Sequence, residues 1–471
     1  MKLKMRATLT LLLLLVCSSI SAVVYPDDFK DGWDKYVGKT ITFNQRMYLC
    51  SRHYSRPDRM YISHKRIQCE EECGDDETGH LIYMTNSNTT DFKVPAGAYV
   101  DNLTAYVYSA NSISVSGNIQ WQDIDRETPP DVGGRLKVVT ANLQKYFYNW
   151  QKSSYADCTS EQEFSVQTTK IASALMLMDA DVYALQEIEE TPYAISYLTD
   201  LMNTEYGEDV YAYISDSWNN VNYSKSAFIY RKDKLLTVGG NESGTASNDY
   251  IYVYRMRIQC FQERLTGERF VLSVNHFKAK DNSDTKDEET RMQNARNLVN
   301  RLKSKNFGDA DVLIVGDLNN YSLEAPCQYL VSNGYIDQTK KYSPDGYSYL
   351  YNNTVGYLDH ALANKSMDEQ ISGVAPFHIN TDYSKNMYGH KMLDTTIHRY
   401  SDHDPIIVGI NLYVQGDANC DGVVDVSDIT SIADYILNGN TKSFSIKNAD
   451  ADNDGAITVA DITSIASIIL E

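Results

Sequence analysis

The sequence predicts an α/β domain that is preceded by a β-rich domain and followed by a small duplicated unit. Strand-like and helical segments alternate between residues 135 and 414, which is typical of α/β proteins. Between residues 26 and 128 only short β-rich runs occur, and turn residues separate them. After residue 414 one motif occurs twice, at 417–422 and at 450–455. A chain of 471 residues is long enough for about three domains.

The first residues have the features of an export signal. A basic start precedes the apolar run Leu9–Val16, and small residues around Ser18–Ala22 follow it. This run is too short to span a bilayer, which needs ~20 apolar residues, so it predicts no transmembrane segment. We expect residues 1–22 to be a bacterial signal peptide and the protein to be secreted, extracellular or associated with the cell surface. A lipid anchor on Cys17 is the weaker alternative, because a bulky valine precedes it.

Composition and charge exclude some classes of protein. With 42% hydrophobic and 23% charged residues, the chain is not intrinsically disordered. A net charge of -20 argues against a surface covered with nucleic-acid-binding charge, although it does not exclude a phosphate-bearing substrate. An odd number of cysteines remains after the signal, so not all can pair internally. For Cys69 and Cys73 we expect a loop disulfide or free thiols.

The block at 26–128 predicts a small barrel or sandwich, because it shows no helical period. A linker at 129–134 follows, marked by paired prolines and paired glycines. The tyrosines of this block leave two interpretations open. They stack on nucleic-acid bases, or they are ordinary strand residues. They are Tyr48, Tyr54, Tyr61, Tyr83, Tyr99, Tyr106 and Tyr108.

The block at 135–414 predicts a sheet core with helices. Apolar residues at helical spacing predict a helix over 292–302, and a second helix is expected over 166–178. Short apolar runs bounded by turn residues predict the strands. These runs are Leu136–Asn142, Asp181–Leu185, Ala227–Tyr230, Phe270–Val274, Asp311–Val315, Leu358–Ala363 and Pro405–Leu412.

The duplicated tail contains two twelve-residue loops rich in carboxylates. Gly422 and Gly455 occupy position 6, where such a loop turns sharply. Oxygen-bearing side chains occupy positions 1, 3, 5, 9 and 12, and calcium needs about six to eight oxygens. We therefore predict two Ca²⁺ sites. The ligands are Asp417, Asn419, Asp421, Asp425 and Asp428 in the first loop, and Asp450, Asp452, Asp454, Thr458 and Asp461 in the second.

The tail at 415–471 resembles a type I dockerin, a pair of calcium loops that are each followed by a helix. The last ligand is Asp rather than the bidentate Glu of helix-loop-helix sensors. The resemblance implies docking onto a cohesin of a scaffold protein through the starts of the helices, at Val426–Ser427 and Val459–Ala460. The alternative is a dockerin-like tail without a cohesin partner.

Polar side chains mark the ends of several predicted strands in the α/β block. Each motif alone also suits an ordinary turn or a surface histidine. Together they indicate a metal-assisted hydrolase with a crevice over a sheet. Phosphodiester cleavage needs a divalent ion, a base for water and a group acting on the leaving oxygen. Carboxylate and amide oxygens suit Mg²⁺, with Mn²⁺ as the alternative, and histidine suits proton transfer near neutrality.

In their order along the chain, these motifs resemble the endonuclease/exonuclease/phosphatase superfamily. The resemblance implies a four-layer DNase I-like sandwich, in which two β-sheets are flanked by helices. The β-rich block in front resembles the OB-type module of secreted nucleases. The matching segments are Thr140–Asn142, Leu185–Glu187, Asn275–His276, Gly316–Asn319, Leu358–His360 and Ser401–His403.

The resemblance also implies a role for each oxygen-bearing residue. Glu187 would bind the catalytic metal directly, assisted by Asn142 and Asp402. Asp317 would position or activate the attacking water, and Asn319 would hold a phosphate oxygen. These residues would build the metal and phosphate side of the site.

Two histidines complete the implied site. His403 would be the general base or would contact the scissile phosphate, oriented by Asp359. His276 would act on the leaving group, and Lys278 is a weaker candidate for a phosphate contact. A second carboxylate should orient His276, but segment 222–226 offers none. The orienting partner of this histidine therefore stays open.

Three functions remain at this stage. The first is an extracellular nuclease that hydrolyses DNA, or RNA, by His-assisted attack of water on a metal-bound phosphate. The second is a phosphoesterase of the same superfamily that acts on a lipid or a sugar phosphate, although no apolar membrane-contact loop is evident. The third is a non-enzymatic carrier, against which the intact set of acids, amides and two histidines argues.

Overall fold

The chain forms two compact units in the computed structural model. The first comprises 1–125, 350–355 and 382–391, and the second comprises the rest. Residues 1–21, nearly all of the predicted signal peptide, lie outside the described residues, as does Tyr54. The described residues are 22–24, 33–52, 58–86, 94–214, 223–243, 255–280, 285–383, 396–440, 442 and 444–470.

The first unit contains an eight-stranded sheet with the strand order β1-β2-β7-β8-β5-β4-β3-β6. Alternate residues of β2 and β5 are buried, which matches a sheet with one face on an apolar core. A short helix, α1, covers Glu70–Cys73. The strands are β1 Ala22–Val24, β2 Thr40–Phe43, β3 Met47–Arg52, β4 Arg59–Ser63, β5 Ile82–Asn86, β6 Tyr99–Val100, β7 Thr104–Ser109 and β8 Ser112–Val115.

The assignment of an OB-type fold to this unit stays a prediction. The sequence indicates β-rich runs over Tyr99–Tyr108 and Ser112–Ile119, but the structure divides the first between β6 and β7 and ends the second at Val115. Asn102 adopts a positive φ of 57°, which ends β6 before β7 begins. Gly117, with a φ of 100°, follows the early end of β8.

The second unit contains two six-stranded mixed sheets. Their strand orders are β11-β12-β10-β9-β22-β21 and β13-β14-β15-β16-β20-β17. A two-stranded ribbon, β18 and β19, comes between β17 and β20 in the sequence, and most of its residues belong to the first unit. The strands are β9 Leu136–Tyr146, β10 Val182–Glu189, β11 Tyr211–Tyr213, β12 Ser224–Arg231, β13 Leu235–Ser243, β14 Met256–Glu263, β15 Arg269–His276, β16 Val312–Asp317, β17 Tyr335–Asp337, β18 Tyr349–Tyr351, β19 Thr354–Gly356, β20 Asp359–Asn364, β21 Ile371–Pro376 and β22 Ile406–Ile410.

Helices flank both sheets. α2 and α3 pack on the outer face of the first sheet, and α4 and α5 pack on the outer face of the second. A further apolar core between the sheets contains residues such as Val138, Phe228 and Leu272. The order helix, sheet, sheet, helix confirms the predicted four-layer fold class. The helices are α2 Glu161–Met178, α3 Pro192–Tyr206, α4 Thr285–Ser304, α5 Ala325–Ser332, α6 Gln338–Tyr342 and α7 Lys365–Asp368.

Capping explains why one predicted helix is longer in the structure. α2 begins at Glu161 rather than 166, because the Ser160 side chain accepts a hydrogen bond from the Glu163 N–H. It ends where Asp179 takes a left-handed conformation. α3 follows the same logic, with Thr191 as its N-cap and Gly207 as its C-cap.

The tail forms α8 (Val426–Asn438), α9 (Ile446–Ala449) and α10 (Val459–Leu470). Ile432 of α8 and Ile465 of α10 meet in a small apolar core. No disulfide joins any cysteines among the described residues. Within the same part of the chain, no helix combines the length and apolar character that crossing a membrane requires.

Candidate active site and calcium loops

The predicted site residues meet where strands of both sheets end. β15 and β16 are parallel, and His276 lies in register with Asp317. β20 runs antiparallel to β16, so its first residue, Asp359, lies opposite Asp317. In the other sheet β9 and β10 are parallel, which brings Asn142 beside the residue that precedes Glu187. Parallel strands place their carboxyl ends at one edge, and this edge collects the polar side chains.

A buried group of three side chains forms the centre of the site. Candidate ligand atoms of Asp317, Asp359 and His403 lie within 4.8 Å of one another. His403 Nδ1 donates a hydrogen bond to Asp359 Oδ2 at 2.7 Å, and its Nε2 lies 3.9 Å from Asp317 Oδ2. Asp359 thus fixes the ring so that Nε2 is directed toward Asp317. The other carboxylate oxygen of Asp359 has no hydrogen-bond partner among the described residues.

The electrostatics of this group favour a cation. Burial raises the pKa of Asp317 to about 7, and the charge of Asp359 contributes. Burial and the charge of Asp402 raise the pKa of Glu187. Burial alone would lower the pKa of His403, but Asp359 and Asp317 outweigh it and raise this pKa well above its ordinary value. Clustered carboxylates that destabilise one another's charges suit a hard divalent ion such as Mg²⁺.

Glu187 is held by a locally irregular strand. Its φ is 58°, and the pairing of β10 shifts register between Leu185 and Ile188. The Lys145 N–H donates to Glu187 Oε2 at 2.9 Å, and His276 Nε2 lies 3.7 Å from Oε1. A non-glycine residue in this conformation costs energy, and the surrounding contacts must compensate for it.

Asn142, Asn319 and Gly316 position the Asp317 carboxylate. Asn142 Nδ2 donates to its Oδ2 at 3.1 Å, and the Asn319 N–H donates to its Oδ1 at 2.9 Å. The Asn319 amide is itself fixed, since its Nδ2 donates to the Phe277 carbonyl. Gly316 has a φ of 131°, and a Cβ there would lie 2.0 Å from the Asn275 carbonyl oxygen. Only glycine therefore allows β16 to deliver Asp317 at this point.

His276 belongs to the same groove. Its Nε2 lies 3.6 Å from Asp317 Oδ2. Its buried Nδ1 has no hydrogen-bond partner among the described residues. Burial, aided by the charge of Arg255, lowers the pKa of His276 well below its ordinary value. Lys278 is engaged elsewhere, since its Nζ donates to the Ala279 carbonyl and lies 3.6 Å from Asp287.

Two residues near the predicted site residues, Arg255 and Tyr349, belong to none of the sequence motifs named above. Arg255 immediately precedes β14, whose first residue pairs with Asn275, and Ser226 Oγ donates to the Arg255 carbonyl at 2.6 Å. The Arg255 charge acts on both Glu187 and His276, and its buried Nε lacks a partner in the described chain. The Tyr349 ring packs against His403, with the ring centroids 4.7 Å apart. Arg255 can be associated with the site only through the pairing of β14 with β15, because this pairing brings it beside the strand that ends in His276.

The two tail loops share one hydrogen-bond pattern. In the first, Asp417 accepts from the N–H groups of Asp421 and Gly422. In the second, Asp450 accepts in the same way from Asp454 and Gly455. Candidate ligand oxygens of Asp450, Asp452 and Asp454 lie within 4.8 Å of one another. The clustered oxygens of the second loop suit calcium, and the first loop shares its hydrogen-bond pattern.

The first loop also contacts the α/β domain. The Arg135 guanidinium donates to both carboxylate oxygens of Glu263, at 2.8 and 2.9 Å. It also donates to Asp417 Oδ2 at 3.1 Å and to the Cys420 carbonyl at 3.2 Å. Arg135 thus links the α/β domain to Asp417, a predicted calcium ligand. The same Oδ2 atom of Asp417 also accepts a hydrogen bond from the Gly422 N–H.

We expect calorimetric titration of the full chain with Ca²⁺ to give two sites. Asp421→Ala or Asp454→Ala should each remove one site, because each deletes the position 5 oxygen from one loop. Calcium at 100 times its Kd should stabilise the tail by about 2.7 kcal/mol for each occupied site, measurable by thermal unfolding. An unchanged stoichiometry in both variants would contradict the assignment, and Mg²⁺ at equal concentration is the control.

A fold of two sheets flanked by helices, with acids, amides and histidines at one strand edge, defines the class of metal-dependent phosphoester hydrolases. The model of the endonuclease/exonuclease/phosphatase family matches residues 139–403, more than half of the chain. The chain therefore belongs to this family, whose members are metal-dependent hydrolases that act on phosphoesters. The model of the type I dockerin domain matches residues 415–470. Dockerins are typical of extracellular cellulosome components and imply a cohesin partner.

Solved structures of low sequence identity resemble the α/β domain. One is an endonuclease/exonuclease/phosphatase family protein from Bacteroides thetaiotaomicron, with 17% identity over 58% of this chain and 96% of that chain, and a TM-score of 0.42. Another is a mannosyl-6-phosphatase from the same organism, with 18% identity, 58% and 99% coverage, and a TM-score of 0.42. A third is D. rerio TDP2 with a single-strand DNA product, at 16% identity, 58% and 97% coverage, and a TM-score of 0.38. No curated protein matches the chain.

Proposed function

We propose that the protein is a secreted, metal-dependent nuclease that hydrolyses phosphodiester bonds of DNA or RNA. The observation that carries this proposal is the His403–Asp359 hydrogen bond beside Asp317, in one groove with Glu187 and a second histidine. This combination provides a place for a cation and proton-transfer groups on both sides of a phosphate.

Glu187, assisted by Asn142 and Asp402, would hold Mg²⁺, or Mn²⁺ in its place. The ion would supply positive charge that neutralises the phosphate and its transition state. The raised pKa of Glu187, caused by burial and by Asp402, supports this role, since a bound cation would relieve the repulsion between the two acids.

The central group would carry the attack. Asp317 accepts the proton of the attacking water, and the hydrogen bonds from Asn142 and the Asn319 backbone hold its carboxylate in place. His403, kept protonated beside Asp359, contacts a phosphate oxygen through Nε2 and stabilises the charge that develops there. Asn319 contacts a further phosphate oxygen.

The leaving side of the groove would be formed by His276 and Arg255. His276 Nε2 lies near both Glu187 and Asp317, so it would lie beside the leaving oxygen, which takes up a proton as the P–O bond breaks. Arg255, whose charge acts on both Glu187 and His276, would contribute a cation that contacts the phosphate. Lys278 forms an ion pair with Asp287, so its ammonium group would contact phosphate only after this ion pair breaks.

The tail would attach the enzyme to a cohesin on a scaffold protein when both loops hold Ca²⁺. Val426 and Val459, the first residues of α8 and α10, are both exposed, which suits the predicted docking surface. In the N-terminal unit we retain the OB-type prediction, with base contact by its tyrosines as one possible role.

A substrate panel tests the nuclease assignment. The purified full chain is incubated with plasmid DNA, single-stranded DNA, RNA, sphingomyelin, a phosphoinositide and a sugar phosphate, with Mg²⁺ or with EDTA. We expect cleavage of nucleic acid that EDTA abolishes and added Mg²⁺ restores. Release of product from the lipid or sugar phosphates alone would replace the nuclease assignment with a phosphoesterase of a different substrate class.

A further inference from the structure

Three tyrosines form an exposed aromatic surface, which we call the tyrosine platform: Tyr148, Tyr193 and Tyr197. Their side chains are 42%, 56% and 43% exposed. The ring centroids of Tyr148 and Tyr197 lie 5.3 Å apart, and those of Tyr148 and Tyr193 lie 6.1 Å apart. Isolated exposed apolar side chains are ordinary, but a contiguous group of this kind marks a binding surface.

The platform rests on a rigid base. The buried Phe164 ring lies 5.9 Å from both Tyr148 and Tyr197. Phe164 in turn stacks on the buried Tyr146, with an angle of 11° between the two ring planes. Because the supporting rings are packed in the core, the exposed rings lose little conformational freedom when a flat partner stacks on them.

The loop that carries Tyr148 is connected to the end of the strand that carries Glu187. The Lys145 N–H donates to Glu187, and Tyr148 follows three residues later. Asn149 donates through its backbone and its side chain to Glu189, at 2.7 and 2.6 Å. The loop that carries Tyr148 is therefore fastened to the end of β10, the strand that holds Glu187.

Tyr193 and Tyr197 belong to α3, the helix that follows the end of β10. Thr191 caps α3, and its hydroxyl accepts from the Tyr193 N–H, so α3 presents Tyr193 and Tyr197 just beyond the end of β10. Lys145 adds a cation on this side and lies over the ring of Tyr155. An aromatic surface near a proposed phosphate site, with a cation on the same side, has the chemistry that recognises an unstacked base next to a phosphate.

We propose that the tyrosine platform stacks an unpaired nucleobase adjacent to the scissile phosphate, so that single-stranded nucleic acid is the preferred substrate. A base inside a duplex has both faces covered by its neighbours and reaches an external ring only after unstacking. This proposal rests on the proposed nuclease function and specifies its substrate class.

The test compares a single-stranded oligonucleotide with the same strand carrying reduced abasic sites around one scissile phosphate. The two share phosphates and sugars and differ only in the bases. We expect the wild type to favour the base-bearing strand by about 5- to 150-fold in kcat/KM, the range of base–aromatic stacking. Tyr193→Ala combined with Tyr197→Ala should lose most of this preference, while Tyr193→Phe should keep it.

Activity on the abasic strand serves as the folding control, because it should be equal in wild type and variants. Tyr206→Ala is the matched control, since Tyr206 is 40% exposed at the other end of the same helix. An unchanged base preference in the double variant would overturn the platform and leave the nuclease assignment intact. Failure of the wild type to cleave either strand would overturn the nuclease assignment itself, and the platform with it.

Discussion

Replacing His403 by alanine is expected to lower kcat by about 10³-fold, with a small change in KM. The side chain makes a 2.7 Å hydrogen bond to Asp359 and directs Nε2 toward Asp317. The variant would therefore lose the group that stabilises charge on the phosphate, while the acids that bind metal stay in place. The measurement is steady-state cleavage of nucleic acid under saturating Mg²⁺.

His378 provides a matched control for this substitution. Its Nδ1 lies 2.9 Å from Asp404, and its ring stacks on Tyr347, so it is also a carboxylate-paired histidine beside a tyrosine. It lies outside the group formed by Asp317, Asp359 and His403. His378→Ala should lower the melting temperature but keep kcat per folded molecule. Equal kcat values for the two variants would contradict the assigned role of His403.

The catalytic edge could be predicted from the sequence because strand topology follows general rules. Apolar runs that end in Glu187, His276 and Asp317 identify strand ends without any knowledge of the fold. The pairing of β15 with β16 then places His276 beside Asp317, and the antiparallel β20 adds Asp359. These runs alone predicted a sheet core with helices, and the resemblance to the family implied the four-layer sandwich.

Features that depend on three-dimensional packing could not be predicted. Arg255 lies in no motif, and only its position beside the strand of His276 associates it with the site. The left-handed conformation of Glu187 arises from a register shift that has no local sequence signal. The tyrosine platform combines Tyr148 with residues of α3, and many tyrosines in this chain make such a grouping invisible in the sequence.

Glu187→Gln is expected to reduce activity by at least about 100-fold at millimolar Mg²⁺. Loss of an outer-shell partner of a metal already costs up to about 100-fold, and Glu187 is proposed to bind the ion directly. The amide keeps the size of the side chain and still accepts from the Lys145 N–H. It removes the negative charge that would bind the ion, so the substitution isolates electrostatics from packing. The measurement is activity as a function of Mg²⁺ concentration, together with direct titration of Mn²⁺ binding.

Two features of this titration separate a metal ligand from a structural acid. If Glu187 binds the ion, the activation curve of the variant shifts to higher Mg²⁺ and excess metal restores part of the rate, since mass action compensates for weaker binding. Glu189→Gln is the matched control, because Glu189 is a buried acid of the same strand that is engaged by Asn149 and Thr191. It should lower the melting temperature and leave the activation curve unchanged. An unshifted curve for Glu187→Gln would mean that the metal is held by other residues of the groove.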